Sequence, residues 1–231
     1  MLKNILAVVG VFSIGIYLGS WNKAAQRLNL GNYVKIKMVV DDNGTNVPTV
    51  VIDGANLQVV NGMGSTKETN GAGNLIIGYN ETYEQIFEEL PPGNPEPPYA
   101  DERSGSHNLI MGRTQNYNAS AYGNIVTGEL NSVSFSNNTI LSSFGAVSNG
   151  SFGSVVATEF GVILPGPKFA AIFGGKENAT DVDFATIVGG QGNFISSPNA
   201  IYGTVAGGKN RTVFTPHAFG TAGGVNIMEN N

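Results

Sequence analysis

The sequence predicts an all-β protein: a repetitive parallel β-roll, or β-solenoid, with turns of about 16 residues, preceded by one N-terminal hydrophobic helix. A phrase of small and apolar residues returns every 15 to 18 residues between Gly112 and Gly224. Its apolar pairs are rich in β-branched Ile and Val, which favour strands. From residue 102 onward, no apolar pattern is sustained at the period of a helix. A unit of this length holds two short strands and two turns, but not a strand and a crossover helix.

The first domain, residues 1–32, is predicted to be a membrane-anchor helix with a short linker. Residues 5–21 carry no charge, and as a helix they would span about 25 Å, close to the thickness of a hydrocarbon core. A cleaved signal peptide and an apolar helix buried in a protein assembly are the alternatives. The predicted anchor residues are Ile5, Leu6, Val8, Val9, Val11, Phe12, Ile14, Ile16, Tyr17, Leu18 and Trp21.

Basic residues indicate the side of the membrane. Lys3 precedes the apolar segment, whereas Lys23, Arg27, Lys35 and Lys37 follow it. This bias places the C-terminal part on the cytoplasmic side, opposite to the expectation for an external adhesin. The predicted location is therefore a membrane-anchored position at a cell surface or in a virion.

The second domain, residues 33–72, is predicted to be a neck of β-strands. Residues 33–40 alternate in part between polar and apolar side chains, and Asn43-Gly44 is a typical hairpin turn. Residues 47–51 and 57–60 are predicted as further strands.

The third domain, residues 73–228, is predicted to form the roll. The phrase reads GNLIIG at 73–78, HNLIMG at 107–112 and GNIVTG at 123–128. The glycines after the apolar pair allow positive φ or close backbone approach. Aromatic residues precede most later copies: Tyr122, Phe152, Phe169, Phe184, Tyr202 and Phe219. The residues predicted for the core of the roll or of a trimer are Ile76, Ile110, Ile125, Ile140, Val155, Ile172, Ile187 and Val205.

A homotrimer is expected because a thin roll carries apolar residues on more faces than its own interior can bury. Exposed apolar stripes larger than a few hundred Å² are unusual in monomers, and packing of three copies would bury them.

A proline-rich segment, residues 84–105, interrupts the roll. Five prolines lie within residues 90–98, which excludes a helix or a central strand. Two interpretations remain open: an exposed loop, or an arm that docks other structural proteins of a larger assembly.

Composition excludes several classes of function. The chain has 12 Lys and Arg residues against 17 Asp and Glu residues, a net charge of −5, so phosphate neutralisation on nucleic acid is not expected. It has no cysteine, which removes disulfides, thiolate catalysis and cysteine-based zinc sites.

No catalytic, cofactor-binding or metal site is predicted. Of the two histidines, His107 and His217, the first occupies a glycine position of the phrase and is expected to be a turn residue. Asp181 and Asp183 are interpreted as a solvated turn, with a Ca²⁺ site between turns as the alternative. Acidic residues are few in the roll, although a polysaccharide-active solenoid would need a dense acidic groove.

Residues 51–62, 69–81 and 104–112 resemble the tandem repeats in the head of trimeric autotransporter adhesins, which occur in related bacterial and viral proteins. The resemblance covers residues 50–228. It implies a left-handed parallel β-roll in which three chains share a core, and it implies no catalytic residues. The chain ends without the membrane barrel and stalk of those adhesins, so autotransport is not expected.

These observations predict a non-enzymatic structural protein. A membrane-anchored trimeric β-roll would form a spike, fibre or scaffold element of a cell surface or virion, such as a minor capsid protein that tethers a membrane. One alternative is a surface adhesin or a carbohydrate-binding module that uses exposed Tyr and Phe. A polysaccharide-active enzyme is the second alternative.

Overall fold

The computed structural model describes residues 33–86, 101–196, 200–216, 218–220 and 226–227. The predicted anchor, most of the proline-rich segment, His217 and most of the last copy of the phrase lie outside these ranges. Within them, no helix has both the length and the apolar character needed to cross a membrane. The chain divides into two compact units, residues 1–58 and 59–231.

The described part of the first unit is an antiparallel hairpin. Strand β1 (Val34–Val40) pairs with β2 (Asn46–Ile52) over seven residue pairs. The Asp41 carboxylate accepts the N–H groups of Asn43 and Thr45 at 2.9 and 2.7 Å, which stabilises the turn. The hairpin prediction is confirmed. The strand predicted at 57–60 was wrong, because this segment is irregular and pairs with no described strand.

The second unit is a parallel β-solenoid of two sheets with almost no helix; α1 (Tyr83–Ile86) is a single turn. Its first sheet contains β3 (Leu75–Ile77), β4 (Leu109–Arg113), β6 (Ile125–Glu129), β8 (Thr139–Phe144), β10 (Ser154–Glu159), β12 (Ala171–Lys176), β14 (Thr186–Ile187), β16 (Thr204–Val205), β18 (Phe219–Gly220) and β19 (Asn226–Ile227). The second sheet contains β5 (Asn116–Tyr117), β7 (Ser132–Val133), β9 (Val147–Ser148), β11 (Val162–Ile163), β13 (Ala179–Thr180), β15 (Phe194–Ile195) and β17 (Thr212–Val213).

Each coil from β4 to β17 contributes one strand to each sheet, and neighbouring coils pair in parallel. The first sheet runs in the order β3-β4-β6-β8-β10-β12-β14-β16-β18, and β19 closes it with an antiparallel pair. The chain makes about six such turns of roughly 16 residues, which confirms the predicted solenoid and its period.

A column of fully buried aliphatic side chains runs through the solenoid. Six predicted core residues lie in it, each 0% exposed: Ile110, Ile140, Val155, Ile172, Ile187 and Val205. Ile125 does not: it is 39% exposed, and Val126 is buried in its place. Val126 is in register with Ile110 on one side and Ile140 on the other, so Val126 continues the buried column and its neighbour Ile125 faces outward. Ile76, on the first strand of the stack, is also exposed.

The corners after the first-sheet strands combine glycine with buried Asn. Gly190 has φ +89°, and a Cβ there would collide with the Gly208 carbonyl oxygen of the next coil. Asn193, fully buried, donates to the Gly189 and Gly208 oxygens at 2.9 and 3.1 Å and accepts the N–H of Arg211 at 3.0 Å. One side chain thereby satisfies backbone groups of two coils.

Gly190→Ala should lower the free energy of unfolding by about 2 kcal/mol or more, because it combines left-handed strain with a backbone collision. Gly189→Ala is the matched control: its φ is not in the left-handed region, and its nearest neighbour is the Phe173 oxygen at 3.6 Å. We expect a change within about 1 kcal/mol for the control. Urea denaturation compares the two, and equal losses would contradict this account of the corner.

Candidate functional site

The outer surface of the first sheet carries a continuous row of mainly apolar side chains. In each coil, the residue that follows the buried core residue faces outward, because side chains alternate along a strand. Val156 is in register with Leu141 on one side and Phe173 on the other. Phe173 and Val188 are 43% and 50% exposed. We call this set the outer row: Ile77, Met111, Thr127, Leu141, Val156, Phe173, Val188 and Ala206.

A second column lies at the corner before the same sheet, three residues ahead of the core residue in each coil. From residue 107 to residue 202, its members all have φ between 57° and 67°. The early coils place His107, Gly123 and Asn137 there, and the later ones place Phe152, Phe169, Phe184 and Tyr202. Gly and Asn tolerate this backbone conformation, whereas bulky aromatic residues rarely adopt it.

The four aromatic rings of this column, which we call the aromatic ladder, stack on one another. Successive centroids from Phe152 to Tyr202 are 4.9, 5.4 and 4.9 Å apart, with interplanar angles of 13°, 12° and 20°. Each ring is between 39% and 51% exposed. Left-handed strain of about 1–2 kcal/mol per residue is comparable to the gain from ring contacts, about 0.5–1.5 kcal/mol each.

The stacking decides which part of each ring is available to a ligand. Because the faces of Phe169 and Phe184 are covered by neighbouring rings, these two present edges to solvent. Phe152 and Tyr202 are the first and last rings of the ladder. The ladder is therefore an apolar ridge of ring edges.

The ladder and the outer row run side by side along the same four coils. Between them lies a column of small residues in register: Ser154, Ala171, Thr186 and Thr204. We call these three columns, over the four coils from 152 to 206, the outer face. None of its twelve residues is charged. The ladder forms a ridge, the small residues form a shallow strip, and the outer row forms a second apolar line. Within each column, successive residues repeat at the spacing of neighbouring strands.

Charged side chains near the ends of the first-sheet strands form pairs between coils. Arg113 contacts Glu129 at 2.7 Å, and Lys176 contacts Glu159 at 2.7 Å. The hydrogen bond to Glu159 raises the pKa of the exposed Lys176 amine. In the interior of the solenoid, burial raises the pKa of the Tyr117 hydroxyl. Both pKa shifts have structural causes: an ion pair at Lys176 and burial in the packed core at Tyr117.

The remaining polar candidates have local partners. His107 takes the left-handed corner position, with Nδ1 3.1 Å from the Thr66 oxygen. Asp183 accepts the Lys168 N–H at 2.8 Å, and Asp181 accepts the Ser196 hydroxyl at 2.8 Å. The described residues contain no group of three or more His, Asp or Glu side chains placed to hold a metal ion.

Sequence reasoning found the aromatic residues but misaligned part of their column. Asn137 was correctly assigned to the column, but Tyr122 was grouped with Phe152, whereas the structure places Gly123 at that corner. Phe219 was also grouped with them, yet it pairs with Thr204 of the small column. The tolerance of Gly123 for positive φ was the signal that could have corrected the alignment at Tyr122.

No protein-family model, curated protein or solved structure matches this chain. The resemblance to adhesin heads therefore rests on the repeat phrases quoted above.

Calcium should not stabilise the solenoid at Asp181 and Asp183. Their two carboxylates bind neighbours in opposite directions along the stack, Ser196 ahead and Lys168 behind, so they do not converge on one point. We expect the same melting temperature in millimolar CaCl₂ and in EDTA. A rise with calcium that Asp181→Asn abolishes would show that a site exists.

Proposed function

We propose that this protein is a non-enzymatic structural protein: a membrane-anchored homotrimeric β-roll that forms a spike, fibre or scaffold element of a cell surface or virion. The observation that carries the proposal is the uncharged outer face, with its aromatic ladder and its outer row. Contiguous apolar surfaces of this kind mark interaction sites in soluble domains.

A second copy of the same chain suits this face because the two would share one spacing. Neighbouring coils lie about 4.8 Å apart, so the ladder of one copy and the outer row of another repeat at the same interval. Ring edges of one copy can pack between successive side chains of the other along all four coils. The small column leaves room for the close approach of two backbones.

When the ladder of one copy packs on the outer row of another, the contact joins two different surfaces. Contacts of that type form a closed ring when the rotation between neighbouring copies permits it. Closure at three copies is what the resemblance to adhesin heads implies. In such a ring, each copy offers its ladder to one neighbour and its outer row to the other. The strain at the four aromatic corners is then offset by burial as well as by stacking.

The other parts of the proposal rest on the sequence. The apolar residues 5–21 support attachment to a membrane, and the Lys/Arg bias supports a cytoplasmic or virion-internal side for the solenoid. The proline-rich segment supports contacts with other structural proteins. The excess of acidic over basic residues argues against a nucleic-acid partner.

The geometry of the ladder argues against the carbohydrate-binding alternative. Sugar rings stack on aromatic faces, yet the faces of Phe169 and Phe184 are covered on both sides by neighbouring rings. The enzyme alternative is weakened because Asp181 and Asp183 are engaged by opposite coils and do not form a carboxylate pair.

Val188→Asp tests the proposed trimer in the full chain in detergent, with the protein mass measured by light scattering. Burial of an unpaired carboxylate in the interface should weaken association by at least about 100-fold and release single chains. Phe169→Asn should also weaken association but keep the fold, because Asn137 takes the same corner position in an earlier coil.

Thr212→Asp is the control, because Thr212 is exposed on the second sheet, away from the outer face. This variant should remain trimeric. Far-UV circular dichroism checks that all three variants keep their β-structure. A Val188→Asp protein that stays trimeric would contradict the proposed interface.

A further inference from the structure

The hairpin of β1 and β2 has two chemically different faces. Residues directly opposite in an antiparallel pair point to the same side, and successive residues alternate. The register therefore groups eight residues on one face, of which all but Asn46 are apolar: Val34, Ile36, Met38, Val40, Asn46, Pro48, Val50 and Ile52. The opposite face holds Lys35, Lys37, Val39, Val47, Thr49 and Val51. We call the first set the neutral face.

Among the described residues, nothing covers most of the neutral face. Ile36 is 73% exposed, Val50 opposite it is 66% exposed, and Val40 is 64% exposed. On the other face, Lys35 forms an ion pair with Asp53 at 2.6 Å. The exposed apolar side chains are thus concentrated where the hairpin carries no charge.

A hairpin of this kind needs a further partner to be stable. Two isolated strands are marginal in water, and independent stability takes either a third strand or packing of the apolar face against another element. An exposed apolar face of this size indicates an interaction surface.

We propose that the neutral face packs against the neutral faces of the same hairpin in the other copies of the trimer. This inference rests on the proposed trimer and adds a second contact, separate from the outer face of the solenoid. Because residues 53–74 join each hairpin to its own solenoid, association of three solenoids raises the local concentration of the three hairpins.

The charge distribution favours this occupant over a lipid surface. Packing of neutral face on neutral face buries no ionised group, and both lysines remain in water on the outside of the cluster. If the neutral face lay on a membrane, Lys35 and Lys37 would point away from the anionic headgroups that attract lysine.

The absence of cysteine allows a direct test, because any disulfide formed by a single introduced cysteine joins two chains. In the full chain in detergent, Ile36→Cys and Val50→Cys should each give at least about 5-fold more disulfide-linked dimer than Lys37→Cys under mild oxidation. Lys37 is the matched control: it is adjacent in sequence and lies on the opposite face. Two test positions are used so that misfolding of one variant does not decide the result.

The mass of each variant before oxidation separates this inference from the proposed function. A trimeric mass with equal cross-linking at positions 36, 50 and 37 would overturn the hairpin contact and leave the trimer standing. A mass of one chain would overturn both. In phosphatidylcholine vesicles, quenching of a bimane label on Ile36→Cys by brominated lipid would show that lipid covers the face, and this too would overturn the hairpin contact.

Discussion

The solenoid depends on the hydrogen bonds that each coil exchanges with the coils before and after it. Parallel strand pairs supply most of them, and buried amides complete them at the corners. Asn178 accepts the N–H of Asn193, and Asn193 accepts the N–H of Arg211, so successive coils are joined by a chain of side-chain contacts. A second chain links Asn108, Asn124 and Asn138. Because these groups are buried, loss of one partner leaves backbone groups without hydrogen bonds.

This constraint also determines the surface. When every coil repeats the same backbone path, each position of the repeat becomes a column at the strand spacing. An apolar preference at one position therefore produces a stripe, and an aromatic preference at another produces a stack of rings. The outer row and the aromatic ladder are two such columns, and together they give the solenoid a long uncharged surface over the coils from 152 to 206. We regard this architecture as suited to assembly.

Periodicity made the fold predictable, whereas local irregularities limited prediction of individual positions. Glycine spacing and β-branched pairs indicated the parallel solenoid and the buried residues from Ile140 to Val205. Ile125 was misplaced because the phrase at 123–128 offers two adjacent β-branched residues, and alternation along the strand buries only Val126, which is in register with Ile110 and Ile140. The neutral face of the hairpin was not recognised, because it depends on which residues of two strands are opposite each other. Stacking of the aromatic rings likewise required three-dimensional coordinates.

The most direct test of the shared apolar face is the solution mass of the unmodified full chain in detergent. Light scattering across a dilution series, with the detergent contribution subtracted, gives the number of chains in each particle. The account predicts a constant mass of three chains over the series. A constant mass of one chain would contradict it, because the outer face would then be exposed in the working state of the protein.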